Sequence, residues 1–210
     1  MAGPIRPQFV LFGSSIVQLS FRHEGWGSIL ADLYARKADI ILRGYAAWNS
    51  RRALQVLDQV FPKSLSEKTH VIFLTTPPFN EAKVLESFAI DSLGMVGRSN
   101  ESCRIYSEAC LELCREMEVK AIDLWTALQN RNDWLDACFV DGIHLSQEGN
   151  KIVAKEILKV LREANWEPSL HWKAMRAEFG EDSPYDSLCS DGKTTINVSE
   201  WSFLPNMEQD

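Results

Sequence analysis

Gln8-Phe9-Val10-Leu11-Phe12, running into Gly13-Ser14-Ser15, opens the chain with a mostly apolar stretch that breaks into a turn of small residues. Such a run bounded by Gly and Ser reads as a first strand. The pattern then alternates. Trp26 to Arg36 places Ile29, Leu30, Leu33 and Tyr34 on one helical face, and Ile40 to Leu42 follows as a short second strand. Ser50 to Phe61 repeats Leu54, Leu57, Val60 and Phe61 at helical spacing until Pro62 stops it. Val71 to Leu74 is a buried strand, Ser102 to Glu116 a helix, Val119 to Ile122 a strand, and Ser146 to Ala164 a last long helix capped by Ser146. Strands that alternate with helices build a parallel sheet covered by helices, so the fold class is α/β.

Thr75-Thr76-Pro77-Pro78 forbids either element from continuing, which predicts an irregular stretch to about Ser99. Residues 1–164 read as one domain of this kind. From Asn165 the composition turns polar and Gly-containing around Trp166, Trp172 and Trp201, so residues 165–210 read as a tail packed on the same domain.

The chain has 210 residues, 45% of them hydrophobic and 24% charged, the balance of an ordinary soluble globular protein. A net charge of −7 with only two adjacent basic pairs, Arg36-Lys37 and Arg51-Arg52, argues against nucleic acid as a partner. Five unevenly spaced cysteines and the lack of a signal-like opening point to a reducing, cytoplasmic setting, with no membrane span and no lipidation motif. Cys110 and Cys114 lie four apart on a helix, but no CxxC or neighbouring His completes a metal site, and packing is their expected role. No metal and no cofactor is called for.

In an open parallel sheet, ligands bind beyond the carboxyl ends of the strands. Ser15 lies just past the first strand, Ala47 just past the second, and Asp141-Gly142-Ile143-His144 just before the last helix. A hydroxyl becomes a useful nucleophile when an imidazole takes its proton, and a carboxylate three residues before that imidazole can hold its other nitrogen. Ser15, His144 and Asp141 are therefore a candidate nucleophile, base and orienting acid. Taken singly, a Gly-Ser-Ser turn and an Asp-Gly pair are also plain turn chemistry. The pattern GxSxG is absent around Ser15, and the four His residues show no metal spacing. Asp123 reads as a helix cap that could instead help hold the His144 loop, and Asn49 as a cap near enough to Ala47 to support it; His70 reads as structural, and His171 as surface packing with a place on the pocket wall as the alternative. Ile16, Tyr45, Trp48 and Phe79 are the expected apolar pocket walls, suited to a small, largely apolar ligand.

Phe12-Gly13-Ser14-Ser15-Ile16-Val17-Gln18 resembles the first conserved block of the GDSL (SGNH) hydrolases, and Asp141-Gly142-Ile143-His144-Leu145 resembles their last. Arg43-Gly44-Tyr45-Ala46-Ala47-Trp48-Asn49-Ser50-Arg51 is similar to their second, in the form found in isoamyl acetate-hydrolysing esterases and a related plant subgroup. The resemblance implies a flavodoxin-like three-layer α/β/α fold and hydrolysis of small carboxylic esters through an acyl-enzyme. Ser15 would then be the nucleophile, His144 the base and Asp141 its orienting acid, with the backbone N–H groups of Ser15 and Ala47 in the oxyanion hole and Gly44 and Asn49 beside it.

Three positions depart from that pattern. Ser14 stands where the name-giving Asp of the family sits, and Ala47 stands where a Gly does. No Gly-x-Asn-Asp block occurs anywhere, so the fold is expected to be short of one central strand and helix, the pattern a skipped exon leaves. Val71 to Leu74 could then pair with the first strand in a four-stranded sheet, or an apolar edge could stay uncovered. The missing Asn would have been an oxyanion donor, and losing one such donor costs roughly 10²–10³ in rate. Two functions follow: an esterase of reduced activity, or a catalytically inactive splice-type variant with only a binding role.

Overall fold

Phe9 and Leu11 face one side of the first strand and Phe12 the other, and the layers of the molecule follow from that alternation. The computed structural model describes residues 6–61, 69–87 and 99–179. Its strands are β1 (Gln8–Gly13), β2 (Asp39–Gly44), β3 (Ile72–Leu74) and β4 (Lys120–Ile122). The helices are α1 (Ser15–Gln18), α2 (Trp26–Leu33), α3 (Ser50–Val60), α4 (Glu81–Ser87), α5 (Asn100–Glu116), α6 (Leu124–Gln129), α7 (Trp134–Ala137) and α8 (Gln147–Glu163).

Phe9, Leu11 and Ile40 from one strand pair, and Ile72, Leu74 and Ile122 from the other, pack on a single core. Helices α2 and α8 supply its centre through Trp26, Leu30, Leu33, Val153, Ala154, Ile157, Leu158 and Leu161. Apolar positions at spacings of three and four give each helix one buried stripe, and burying such side chains is the main favourable term in folding. Phe12 meets Phe61, the residue that ends α3, on the opposite side of β1. Helix layers on both sides of parallel strands make the three-layer α/β/α arrangement.

The strands do not form one continuous sheet. β1 pairs with β2 in parallel, from Gln8 opposite Asp39 to Gly13 opposite Gly44, and β3 pairs in parallel with β4. No strand pairing joins β1 to β3 among the described residues. The four-stranded alternative is thereby corrected: β3 takes β4 as its partner and leaves β1 alone on its other edge. The layer beyond β1 and β3 is poorly covered. Phe73 is 49% exposed, while on α3 Leu54 is 72% and Leu57 39% exposed, and α3 buries no residue at all.

Two local expectations also change. Helix α4 interrupts the stretch read as irregular, because Asn80 directly after Pro77-Pro78-Phe79 accepts the Lys83 N–H at 3.0 Å and starts a helix. β3 begins at Ile72 and not at Val71, and it is not the buried strand expected: Val71 and Phe73 share the poorly covered side of the strand and are exposed. In residues 165–179, Trp166, Leu170, Trp172 and Met175 pack on the core, and the Tyr34 hydroxyl donates to the Leu170 carbonyl at 2.8 Å. Trp201 lies outside the described residues.

Candidate active site

The turn between α7 and α8 is built around one carboxylate. Asp141 Oδ1 accepts the N–H of Ile143 at 3.0 Å and of His144 at 2.8 Å, closing the local turn that Asp favours, and its Oδ2 lies 2.6 Å from His144 Nδ1. The proton on Nδ1 therefore serves the carboxylate and leaves Nε2 of neutral His144 as an acceptor. Burial opposes ionisation of Asp141, but the hydrogen bonds from the His144 ring and from the His144 and Ile143 amides outweigh it and hold the carboxyl below the usual carboxylate range.

The same turn demands Gly142. Its φ is +93°, and a Cβ there would come within 2.6 Å of Val84 Cγ2 and 2.7 Å of the Asn80 carbonyl oxygen. Asn80, at the start of α4, donates its N–H to the Gly142 carbonyl at 2.8 Å and its Nδ2 to the Leu135 carbonyl at 3.0 Å. Lys83 Nζ reaches the Phe139 carbonyl at 3.0 Å, so the first turn of α4 grips the His144 turn from outside.

Ser15 is the first residue of α1, directly after β1, with Ser14 before it at the cap position. Gly44 lets this short helix sit on the end of β2, since a Cβ there would lie 2.0 Å from the Gln18 nitrogen. The next loop is pinned by Ala46, whose N–H donates to Gln18 Oε1 at 2.8 Å. Ala47 follows with a left-handed φ of +63°, the conformation a Gly adopts without strain. Among the described residues the N–H groups of Ser15 and Ala47 have no acceptor.

Ile16, Leu19, His23, Asp141, His144 and Asn150 line one cleft of about 230 Å³. Asp141 and His144 are in contact there, and Ile16 brings the residue after Ser15 to the same cleft. Ser15 Oγ makes no hydrogen bond to His144. Catalytic hydrogen bonds are often long before substrate binds. Of the expected pocket walls only Ile16 lines this cleft. Tyr45 and Trp48 instead stack on each other, with centroids 4.2 Å apart on either side of Ala47, and Phe79 is buried in the interior.

Asn49 caps α3 by accepting the Arg52 N–H at 2.9 Å, and Asp123 caps α6 by accepting that of Thr126 at 3.0 Å. His70 stacks on Trp166 at 4.0 Å, away from the cleft. Three residues given no part in the site by the sequence hold it: Asn80, Trp26 and Asn150. Asn80 carried a usable signal, an N-capping residue after a Pro pair. Trp26 and Asn150 carried none, since one reads as core and the other as an ordinary helix residue. No three His, Cys, Asp or Glu side chains among the described residues group as metal ligands, and no described helix is long and apolar enough to cross a membrane.

The profile of the GDSL-like Lipase/Acylhydrolase family matches residues 51–157. The chain is 50% identical to the GDSL esterase/lipase WDL1 of Oryza sativa subsp. japonica, over 254 aligned positions that take in 99% of this chain and 97% of that protein. Set against 210 residues, those 254 positions leave at least 44 with no residue of this chain opposite them. Similarity extends to the isoamyl acetate-hydrolyzing esterase 1 homolog of Rattus norvegicus, 29% identical over 89% of this chain and 93% of that one. The fold matches a lipase/acylhydrolase from Enterococcus faecalis with a TM-score of 0.56 and 17% identity, over 76% of this chain and 97% of that chain. A family match over half the chain, together with a relative half identical along nearly all of it, shows that this protein belongs to the GDSL-like lipase/acylhydrolase family as a serine hydrolase of the GDSL esterase/lipase kind.

Proposed function

We propose that this chain hydrolyses small carboxylic esters through an acyl-enzyme on Ser15, at a rate reduced by the lack of a side-chain oxyanion donor. Ser15 Oγ attacks the ester carbonyl carbon while His144 Nε2 takes its proton. Asp141 holds the ring and stabilises the imidazolium that forms. The oxyanion develops against the N–H groups of Ser15 and Ala47. Collapse expels the alcohol, which leaves with the proton from His144, and water then repeats the sequence to release the acid.

The observation that carries this reading is the His144–Asp141 pair at 2.6 Å, in one cleft with the residue that follows Ser15. The family supplies the class of substrate, an ester. With no Gly-x-Asn-Asp block in the sequence, only backbone donors remain for the oxyanion, and one absent donor corresponds to about 2.7–4 kcal/mol of transition-state stabilisation. The cytoplasmic setting belongs to the same proposal, supported by the unbridged thiols of Cys110, Cys114 and Cys138 among the described residues.

Turnover of p-nitrophenyl acetate by this chain beside its Ser15→Ala variant tests the reading. The expected result is slow, saturable hydrolysis that the substitution removes. Equal rates for the two proteins would leave the catalytically inactive alternative.

A further inference from the structure

Ser15 and His144 share no hydrogen bond, so something other than their own contact sets the distance between them. The turn carrying each is instead tied to one pair of side chains. Trp26 Nε1 donates to the Ile16 carbonyl at 3.3 Å, one residue beyond Ser15. The Trp26 backbone N–H donates to Asn150 Oδ1 at 3.1 Å, across 124 residues of sequence. Asn150 Nδ2 then donates to the carbonyls of Leu145 at 3.2 Å and Ser146 at 2.7 Å, the two residues after His144.

The chemistry of these links is specific. Trp26 is the first residue of α2, so its N–H has no partner within the helix and is open to Asn150. With its oxygen on an N–H and its nitrogen on two carbonyls, the Asn150 amide has one productive orientation; turned over, it would set oxygen against oxygen. Trp26 is 2% exposed and belongs to the main core, so the bracket is anchored in that core.

We propose that Trp26 and Asn150 are positioning residues that set the approach of Ser15 Oγ to His144 Nε2, an inference that rests on the esterase reading. The two residues touch no reacting atom and act through the backbone on either side of the cleft. Loosening the bracket widens the spread of Ser15–His144 separations, which affects proton transfer far more than substrate binding.

The test is steady-state hydrolysis of p-nitrophenyl acetate by the full chain, its Ser15→Ala variant, Trp26→Phe, Asn150→Ala and the double variant, well below their melting temperatures. Trp26→Phe keeps most of the ring and loses only the Nε1–H. Both single variants are expected to lower kcat about 10-fold with KM within about twofold, since misplacement by 1 Å can cost roughly 10²-fold. The double variant is expected to fall no further than the worse single one, because both break the same chain of contacts. A merely structural role would lower the melting temperature and leave kcat of the folded protein alone. Single variants with unchanged kcat, or losses that add in the double variant, would overturn the bracket. Should Asn150→Ala not fold, Trp26→Phe decides alone. A wild-type rate equal to that of Ser15→Ala would remove the esterase reading, and the bracket with it, whatever the other variants do.

Discussion

His144 Nδ1 lies 2.6 Å from Asp141 Oδ2, and the other oxygen of the same carboxylate accepts the two amides of the turn between them. One side chain thus shapes the loop and fixes the ring. Asp141→Asn keeps the shape but presents an amide that can no longer hold the Nδ1–H tautomer alone. We expect kcat to fall by about 10⁴-fold, with near-native circular dichroism. Hydrolysis rates beside a thermal melt check this, and a variant with unchanged kcat would take Asp141 out of the mechanism.

The lowered titration of Asp141 has a sign in stability as well. Its folded-state pKa lies below the unfolded value, so the ionised group stabilises the fold above pH ~4. That contribution fades as pH falls through the lower folded-state value. Melting temperatures measured from pH 6 down to pH 3 should drop more steeply for the native chain than for Asp141→Asn, and parallel curves would contradict the assignment.

Ala47 occupies left-handed backbone at φ +63°, which costs an L residue roughly 1–2 kcal/mol. Ala47→Gly removes that strain and keeps the N–H, though a more flexible unfolded chain offsets about 0.4–1 kcal/mol of the gain. The expected outcome is a modest rise in melting temperature with hydrolysis retained. Ala47→Val should move stability the opposite way, because a β-branched residue tolerates this conformation worst.

Gly142 is the opposite case, a glycine that cannot be replaced. With φ at +93° and Val84 Cγ2 2.6 Å from where a Cβ would sit, Gly142→Ala must push α4 off the His144 turn. We expect a loss on the order of 2 kcal/mol or more in stability and loss of measurable hydrolysis. Denaturant unfolding gives the first quantity, and a variant as stable as the parent would contradict this packing.

The exposed edge and its neighbours predict association. β1 and β3 each carry an edge with no described partner, neither strand bears a charge, and Phe73, Leu54 and Leu57 lie open nearby. Uncharged strand edges of this kind pair with other chains. Light scattering at rising concentration should show growth of larger species, and Phe73→Lys should reduce it.

What the sequence made legible was local. The apolar run at Gln8–Phe12, the periodic face of α8 and the Asp141–His144 contact each depend on residues a few positions apart: β1 and α8 form where expected, and Asp141 meets the His144 ring. Pairing of strands is not local: Ile72-Phe73-Leu74 has the same pattern whether its neighbour is β1 or β4, so the break in the sheet could not be read from it. Adjacency also misled at Tyr45 and Trp48, whose position beside Ala47 says nothing of the direction in which their rings stack. Asn150 shows the same limit from the other side, since its partner Trp26 lies far away in the chain.

The most direct test of the central claim is covalent. A fluorophosphonate transfers its phosphonyl group to an activated serine with loss of fluoride, and peptide mass mapping then locates the adduct. The account predicts a single adduct on Ser15 that disappears in His144→Ala; an unlabelled protein, or an adduct on another serine, would contradict it.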